Sequence, residues 1–215
     1  KKINFHFDHL ESTDEIIIEQ DLVSKRIKVK NFTEYNNLLK KNYIFLDHNE
    51  REKIILKRFG IISKSKNYKE NYNSKLLEEV VNIVEDPNVL LVDFNRDYLK
   101  IPQEIVISTL EKHQRYFAIF DSREKLTNYF FVVANKKDEK KLITEGNKRV
   151  VEARLSDAKF FWEKDRSKNL IKQIANLKTI TFYEKIGTIY DKTQRIKNLA
   201  GCLSDELNIN KEKAQ

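Results

Sequence analysis

Residues 146–165, GNKRVVEARLSDAKFFWEKD, join an amphipathic helix pattern to a dense row of cationic side chains. Apolar residues recur there at spacings of four, three and four, which predicts one apolar helical face behind an N-cap at Asn147. The pairing indicates a docking surface, and the alternative is a core helix whose charged side is solvated. The apolar positions are Val151, Leu155, Ala158 and Trp162, whereas Lys148, Arg149, Glu152 and Lys159 fall on other faces.

Motifs for a self-contained nucleotide enzyme are missing from the chain. Only 4 Gly occur, and the sequence contains no phosphate-binding loop, dinucleotide fingerprint or nucleophile elbow. Cradling a phosphate with backbone amides usually needs glycine at positive φ. We therefore expect no catalytic residue and no bound cofactor in this chain.

Metal chemistry is also not expected. His6 and His9 flank Asp8, but they lie at an end of the chain, where an ordered metal site is uncommon. His113 is expected to be a cation at a helix C-terminus, with a phosphate contact as the alternative. The single cysteine, Cys202, excludes a disulfide within the chain and is predicted to be a small buried residue.

Composition indicates a globular protein with a basic surface. The 215 residues include 40% hydrophobic and 11% aromatic side chains, enough to bury a core in one large or two small domains. The formal net charge of +8 suits a protein that meets phosphate backbones, although the codon bias of an AT-rich genome would also enrich lysine. No apolar run approaches the roughly 20 residues of a membrane span, and no secretory signal is visible at the start, so we expect a cytoplasmic protein. The absence of methionine indicates a segment of a longer chain.

Hydrophobic periodicity predicts an α+β fold, with strands and helices mixed up to about Asn135 and helices after it. Thr33, Asp47 with Glu50, and Ser74 are predicted helix caps, and Pro102 is predicted in a first turn. The predicted strands are residues 14–20, 25–30, 43–46, 89–94, 115–120 and 126–134. The predicted helices are 33–41, 47–60, one from 74 that Pro87 ends, 102–114, 138–145, 147–165, 169–177 and 188–207. In the last helix, a capping box of Thr188 and Asp191 precedes an apolar stripe that needs a partner.

Four blocks in this order resemble signatures of the β subunit of the bacterial heterotetrameric glycyl-tRNA synthetase. The blocks are LLEEVVNIVEDP at residues 76–87, IPQEIVISTLEKHQRYFAIFD at 101–121 with NYFFVVAN at 128–135, the stretch 146–165, and FYEKIGTIYDKTQRIKNLAG at 182–201. Collinear blocks are far more specific than any one motif. The resemblance runs from roughly Lys28 to the C-terminus and leaves residues 1–23 without a match.

The resemblance implies three regions. Residues 1–135 would form a mixed sheet region similar to the B3/B4 domain of phenylalanyl-tRNA synthetase. Residues 136–181 would form a helical connection, and residues 182–215 the start of a truncated HD-type helical domain.

The resemblance also implies partners. A β subunit would bind and orient tRNA(Gly), while the α subunit of an α2β2 tetramer would hold the ATP and Mg used in glycylation. This segment alone would then be inactive, would bind no cofactor and no metal, and would meet no membrane.

Cationic side chains within the matched blocks are the candidates for tRNA contact, because arginine can pair two oxygens of one phosphate. Interleaved aromatic side chains could stack on unpaired bases, but core packing is the favoured interpretation. An ion pair of Arg154 with Asp157, one turn on, is the structural alternative for that arginine. The cations are Arg115, Lys148, Arg149, Arg154, Lys192 and Arg195, and the aromatic residues are Tyr116, Phe160, Phe161 and Trp162.

Two further functions remain open from the sequence. The segment could be a structural scaffold that packs domains together without touching RNA. It could instead be a fragment of an HD-type phosphohydrolase, which the absence of a His and Asp ligand set disfavours. An even spread of cations would favour the scaffold, and a metal held by His and Asp the hydrolase.

Overall fold

Strands and helices are mixed up to Ala134 and helices predominate after it, as the periodicity predicts. The structure, a computed structural model, describes residues 3–20, 23–70 and 72–210. The chain divides into two compact units, Lys1–Lys159 and Phe160–Gln215. The α+β class is confirmed, whereas the three functional regions stay a prediction. Among the described residues, no helix is both long enough and apolar enough to cross a bilayer.

Two antiparallel hairpins begin the first unit. Strands β1 (His6–Phe7) and β2 (Leu10–Glu11) form the first, and β3 (Glu15–Gln20) and β4 (Val23–Lys28) form the second. The predicted strands of the second hairpin are confirmed. Its apolar residues alternate as one sheet face requires, since Ile18 is buried while Ile17 is 55% exposed.

Helices α1 (Phe32–Lys41) and α2 (His48–Lys66) follow, and their caps and ends differ in part from the predictions. Asn31, not Thr33, caps α1, because its side-chain oxygen accepts from the Glu34 amide. Gly60 does not end α2, which continues to Lys66 and stops at Asn67 in the left-handed conformation with φ 56°. Asp47 caps α2 as predicted, but Glu50 does not complete the predicted capping box, because its carboxylate is paired with Lys40.

Residues 43–46 do not form the predicted strand. Tyr43 has φ 60°, which takes the backbone out of the extended region at once. Backbone hydrogen bonds hold the segment instead, from the Ile44 amide to the Leu39 carbonyl at 2.9 Å and from the Phe45 amide to the Glu85 carbonyl at 3.1 Å. A short β-branched and aromatic run is therefore not enough to define a strand without a neighbour to pair with.

A three-stranded antiparallel sheet forms the centre of the first unit. Its order is β5 (Asn88–Asp93), β7 (Leu126–Ala134) and β6 (Phe117–Phe120), and the β6 and β7 hairpin was predicted. The strand predicted at 115–120 begins at Phe117 in the structure, because Arg115 has φ 60° and is therefore not extended.

One face of this sheet packs against α2 and against α3 (Ser74–Ile83), which Asn73 caps in place of the predicted Ser74. Phe59 of α2 lies at the centre, stacked on Phe131 of β7 with ring centroids 4.5 Å apart. The buried cluster comprises Ile55, Phe59, Leu76, Leu77, Val80, Val81, Val84, Phe117, Ile119 and Phe131.

The other sheet face carries Phe130, which is fully buried. Helix α4 (Gln103–Ser108) continues into a π-helical turn, Thr109–His113, where one α-helix was predicted. Pro102 is the N-cap of α4, one position before the predicted first turn. Buried Val106 and Leu110 lie on this stretch.

Helix α5 (Leu142–Arg166) is one continuous helix of 25 residues where two were predicted. Asp138 caps its start by accepting from the Ile143 and Thr144 amides. Gly146 does not break the helix, since a single glycine costs only about 1 kcal/mol relative to alanine. Asn147 is consequently an interior residue and not an N-cap.

The second unit contains short elements and one long helix. These are α6 (Leu170–Gln173), a 3₁₀ segment (Ile174–Thr179), β8 (Thr181–Tyr183), β9 (Gly187–Thr188) and α7 (Ile189–Glu206). The predicted capping box of Thr188 and Asp191 is confirmed. Cys202 is exposed, contrary to its predicted burial, because α7 leaves much of its apolar stripe in solvent. The exposed stripe includes Ile196, Leu199, Leu203 and Leu207.

Candidate nucleic-acid interface

Lys148 of α5 is a half-buried cation that already has an anionic partner. Its Nζ donates to Asp93 Oδ2 at the end of β5, 2.8 Å away. That hydrogen bond raises the pKa of Lys148 above its ordinary value. The side chain therefore fixes α5 to the sheet, and only part of its charge remains available to an outside anion.

Asn147 is the second anchor of α5. Its amide nitrogen donates to the Ile143 carbonyl at 2.7 Å, and its oxygen accepts from the Tyr116 hydroxyl. The Tyr116 ring stacks on Phe130 with centroids 5.2 Å apart, and burial raises the pKa of Tyr116. Tyr116 therefore packs in the core, as favoured from the sequence, and ties α5 to the second face of the sheet.

A third anchor comes from Glu152, one turn further along α5. Its carboxylate accepts from the Asn95 amide at 3.1 Å, just beyond the end of β5. Val151 and Leu155 are fully buried on the same side of the helix. The predicted apolar face is confirmed for these two residues. Polar contacts of Lys148 and Glu152 flank that face and also hold the helix.

Arg149 and Arg154 are exposed on α5. Within the described residues neither guanidinium forms an ion pair or a hydrogen bond, and the suggested pair of Arg154 with Asp157 is not formed. The two arginines are five residues apart, so they lie about 140° apart around the helix axis. Both charges are therefore available to an external anion on either flank of the exposed side.

Arg115 lies at the junction between the π-helical turn and β6. Its Nε is 2.8 Å from Glu79 Oε2 of α3, and its guanidinium also donates to the Lys112 carbonyl. The left-handed backbone at Arg115 places the side chain across this junction. Arg115 is thus partly neutralised by a structural ion pair, though half of its side chain stays exposed.

The second unit holds the remaining two candidate cations on α7. Lys192 Nζ lies over the Phe182 ring, 4.2 Å from its centroid, a cation–π contact. Arg195 is exposed, and its guanidinium donates to the Ile186 carbonyl at 3.3 Å. These contacts orient both cations toward the β8 and β9 hairpin within this unit.

The aromatic residues at the end of α5 are not core residues. Phe160 and Phe161 are 58% and 59% exposed and pack edge to face on each other at 5.5 Å. Trp162 is partly buried and carries the Arg166 guanidinium over its ring. The core-packing interpretation is therefore wrong for the two phenylalanines, because more than half of each side chain is exposed.

Ligands for a metal ion are not gathered anywhere in the described part of the chain. The described residues contain no group of three or more His, Cys, Asp and Glu side chains that could hold an ion. His9 pairs with Asp8 at 2.6 Å, and His6 lies 3.6 Å from Glu11, all of them exposed.

A row of cations on α2 was not singled out in the sequence. Lys53, Lys57 and Lys64 follow one another at spacings of four and seven and are all exposed, with Arg58 beside them. The signal was available, because no Asp or Glu occurs between Lys53 and Lys66. It was missed because the family blocks, which directed attention to other cations, do not cover this helix.

Comparison with known proteins places these features in a family. A family model described as the glycyl-tRNA synthetase beta subunit matches residues 1–215. The chain belongs to this family. The match includes residues 1–23, for which no resemblance was found from the sequence alone, so that negative expectation is wrong.

Curated relatives agree with the assignment. The chain is 37% identical over 206 residues to the glycine–tRNA ligase beta subunit of Thermodesulfovibrio yellowstonii, covering 95% of this chain and 30% of that protein. It is 36% identical to the Clostridioides difficile protein, covering 99% and 31%, and 34% identical to the Listeria welshimeri protein, covering 90% and 28%. The chain thus spans about three tenths of the length of these relatives.

Proposed function

We propose that this chain is the part of a glycine–tRNA ligase β subunit that helps to bind and orient tRNA(Gly) for ATP-dependent glycylation in the cytoplasm. Family membership and the basic net charge of +8 support this function. The three-stranded sheet region would correspond to a B3/B4-like domain, and α7 to the entry of an HD-type helical domain.

The proposed RNA contact is based on the exposure of Arg149 and Arg154 and on their lack of partners among the described residues. Both guanidinium groups are exposed and lack partners in the described structure, on a helix whose position is fixed by Lys148, Asn147 and Glu152. A rigid helix with free arginines can pair phosphate oxygens without ordering a loop first. Phosphate contacts of this kind would set the register of the tRNA on the enzyme.

Catalysis belongs elsewhere in this proposal. The α subunit would hold ATP, Mg and the reacting groups in an α2β2 tetramer, and this chain would supply no catalytic residue. Its contribution to the reaction is orientation, which converts a slow bimolecular encounter into a positioned one.

The test replaces Arg149 and Arg154 by Ala in the β subunit of the full α/β enzyme and measures tRNA(Gly) affinity against salt. Each lost phosphate contact should lower the salt slope by about 0.7 to 0.9. The pair should therefore lower it by about 1.5, so that the change in Kd between 50 and 200 mM salt becomes about eightfold smaller. Exposed Arg26 and Arg123, changed to Ala together, are the matched control and should leave the slope unchanged.

A structural scaffold is the second candidate, and specific contacts favour it. Arg115 and Lys148 are engaged by Glu79 and Asp93, as expected of residues that hold elements together. If the scaffold function is correct, the Arg149 and Arg154 variant keeps its tRNA affinity and salt slope, and the control variant behaves identically. The third candidate, an HD-type phosphohydrolase, would need a set of metal ligands, and the described residues contain no group of three metal-ligand side chains.

A further inference from the structure

The exposed side of α2 carries a cationic ridge, which we call the α2 crest and define as Lys53, Lys57 and Lys64. Successive positions of the crest lie within about 40° of one another around the helix axis, and its ends are about 16 Å apart. The three lysine positions therefore follow a nearly straight line along one face of the helix.

The charge of the α2 crest is not neutralised by the protein. None of its three lysines forms an ion pair within the described residues. Glu50, one turn before the crest, is already paired with Lys40 at 2.7 Å. Glu70 is the acid that borders the crest, with its carboxylate 3.6 Å from where a Cβ on Gly60 would lie. Three exposed cations thus outnumber the acids nearest to them, Glu70 and Glu52, the residue before Lys53.

The opposite side of α2 fixes the helix in place. Ile55 and Phe59 are buried in the core between α2, α3 and the sheet. An amphipathic helix that binds a membrane surface needs its apolar face free, and here that face is already covered. Ile61, 52% exposed between Lys57 and Lys64, is the one exposed large apolar side chain of α2, a helix described over its whole length, and it is too little apolar surface for the helix to insert into lipid.

We infer that the α2 crest binds the phosphate backbone of tRNA, an inference that rests on the proposed function and adds a second RNA contact to it. A straight row of lysines offers point charges to successive phosphates along one strand. Between Lys53 and Lys64 the exposed side carries no aromatic ring for base stacking, since Phe59 is buried. The contact should consequently be independent of base sequence.

The experiment uses the full α/β enzyme with Lys53, Lys57 and Lys64 of β all changed to Ala. Alanine favours helix at exposed positions, so α2 should persist. The matched control removes the same charge from three other exposed lysines, Lys25 on β4, Lys75 on α3 and Lys125 in the loop before β7. Affinity for tRNA(Gly) and for a non-cognate tRNA is measured from 50 to 200 mM salt.

The crest variant should lose affinity for both tRNAs by the same factor, and its salt slope should fall by about 2 to 3, at 0.7 to 0.9 for each contact. Changing the three lysines to Arg should preserve the slope. A slope equal to that of the control variant would overturn the inference. So would loss of α2β2 assembly in size-exclusion chromatography with an unchanged slope, which would make the crest a protein interface.

Failure of this inference and failure of the proposed α5 contact are distinguishable. A normal salt slope in the crest variant, with a reduced slope in the Arg149 and Arg154 variant, would overturn the crest inference and support the α5 contact. The reverse pattern retains the crest and removes the α5 contact. A parent enzyme that does not bind tRNA overturns both.

Discussion

Replacing Leu155 by Ala tests whether the buried face of α5 holds that helix on the sheet. Leu155 is fully buried, whereas Leu142 on the same helix is 71% exposed. Removing a buried leucine side chain costs about 2 to 5 kcal/mol, through lost transfer free energy and the cavity that remains. The same change at Leu142 should alter the free energy of unfolding by less than about 0.5 kcal/mol. Leucine and alanine differ in helix propensity by only about 0.2 kcal/mol, so the difference between the two variants reports mainly packing.

Urea unfolding of the purified chain, followed by circular dichroism, measures both effects. With a denaturant slope of about 2 to 3 kcal/mol/M for a chain of this size, a loss of about 3 kcal/mol lowers the Leu155→Ala midpoint by about 1 M. The Leu142→Ala midpoint should move by about 0.2 M or less. Equal midpoints for the two variants would refute the placement of α5 against the sheet, and with it the claim that Arg149 and Arg154 project from a fixed support.

Apolar spacing and β-branched runs were sufficient to predict most elements. The hairpin of β3 and β4 and the pair of β6 and β7 follow from alternation, and α3 follows from Leu77, Val80 and Val81 on one face. These patterns work because a side chain's burial depends on the period of its own element. The Thr188 and Asp191 capping box was predictable for a similar reason, since both partners lie within one turn.

Boundaries set by contacts between distant residues were not predictable. From its local sequence Asn147 is predicted to be an N-cap. In the structure it lies inside a continuous helix, and its side-chain oxygen accepts a hydrogen bond from Tyr116, 31 residues earlier in the chain. Lys148 is likewise predicted to be a free cation, because its partner Asp93 is 55 residues away in the sequence. The exposure of Phe160 and Phe161 was not predictable either, because helical spacing alone does not say which neighbours exist.

Two further predictions concern an ion pair and a glycine. Lys148→Met should destabilise the chain by less than about 1 kcal/mol at pH 8, as expected for a half-exposed pair with Asp93. Because the folded pKa of Lys148 is raised, that stabilisation is complete below about pH 10.4 and is lost as pH rises through the folded value. Urea midpoints of the two proteins should thus converge in strong alkali, and a constant difference would exclude the charge as the cause. Gly187→Ala should destabilise by about 1 to 3 kcal/mol, because Gly187 has φ 104° and a Cβ there would lie 2.5 Å from the Asp191 carboxylate that caps α7. The matched change Gly146→Ala meets nothing within 4 Å inside α5 and should stabilise by about 0.5 to 1 kcal/mol, so the two urea midpoints should move in opposite directions. If both variants gain stability, Gly187 is not required by its positive φ, and the approach of Asp191 to the backbone at β9 does not limit the residue at this position.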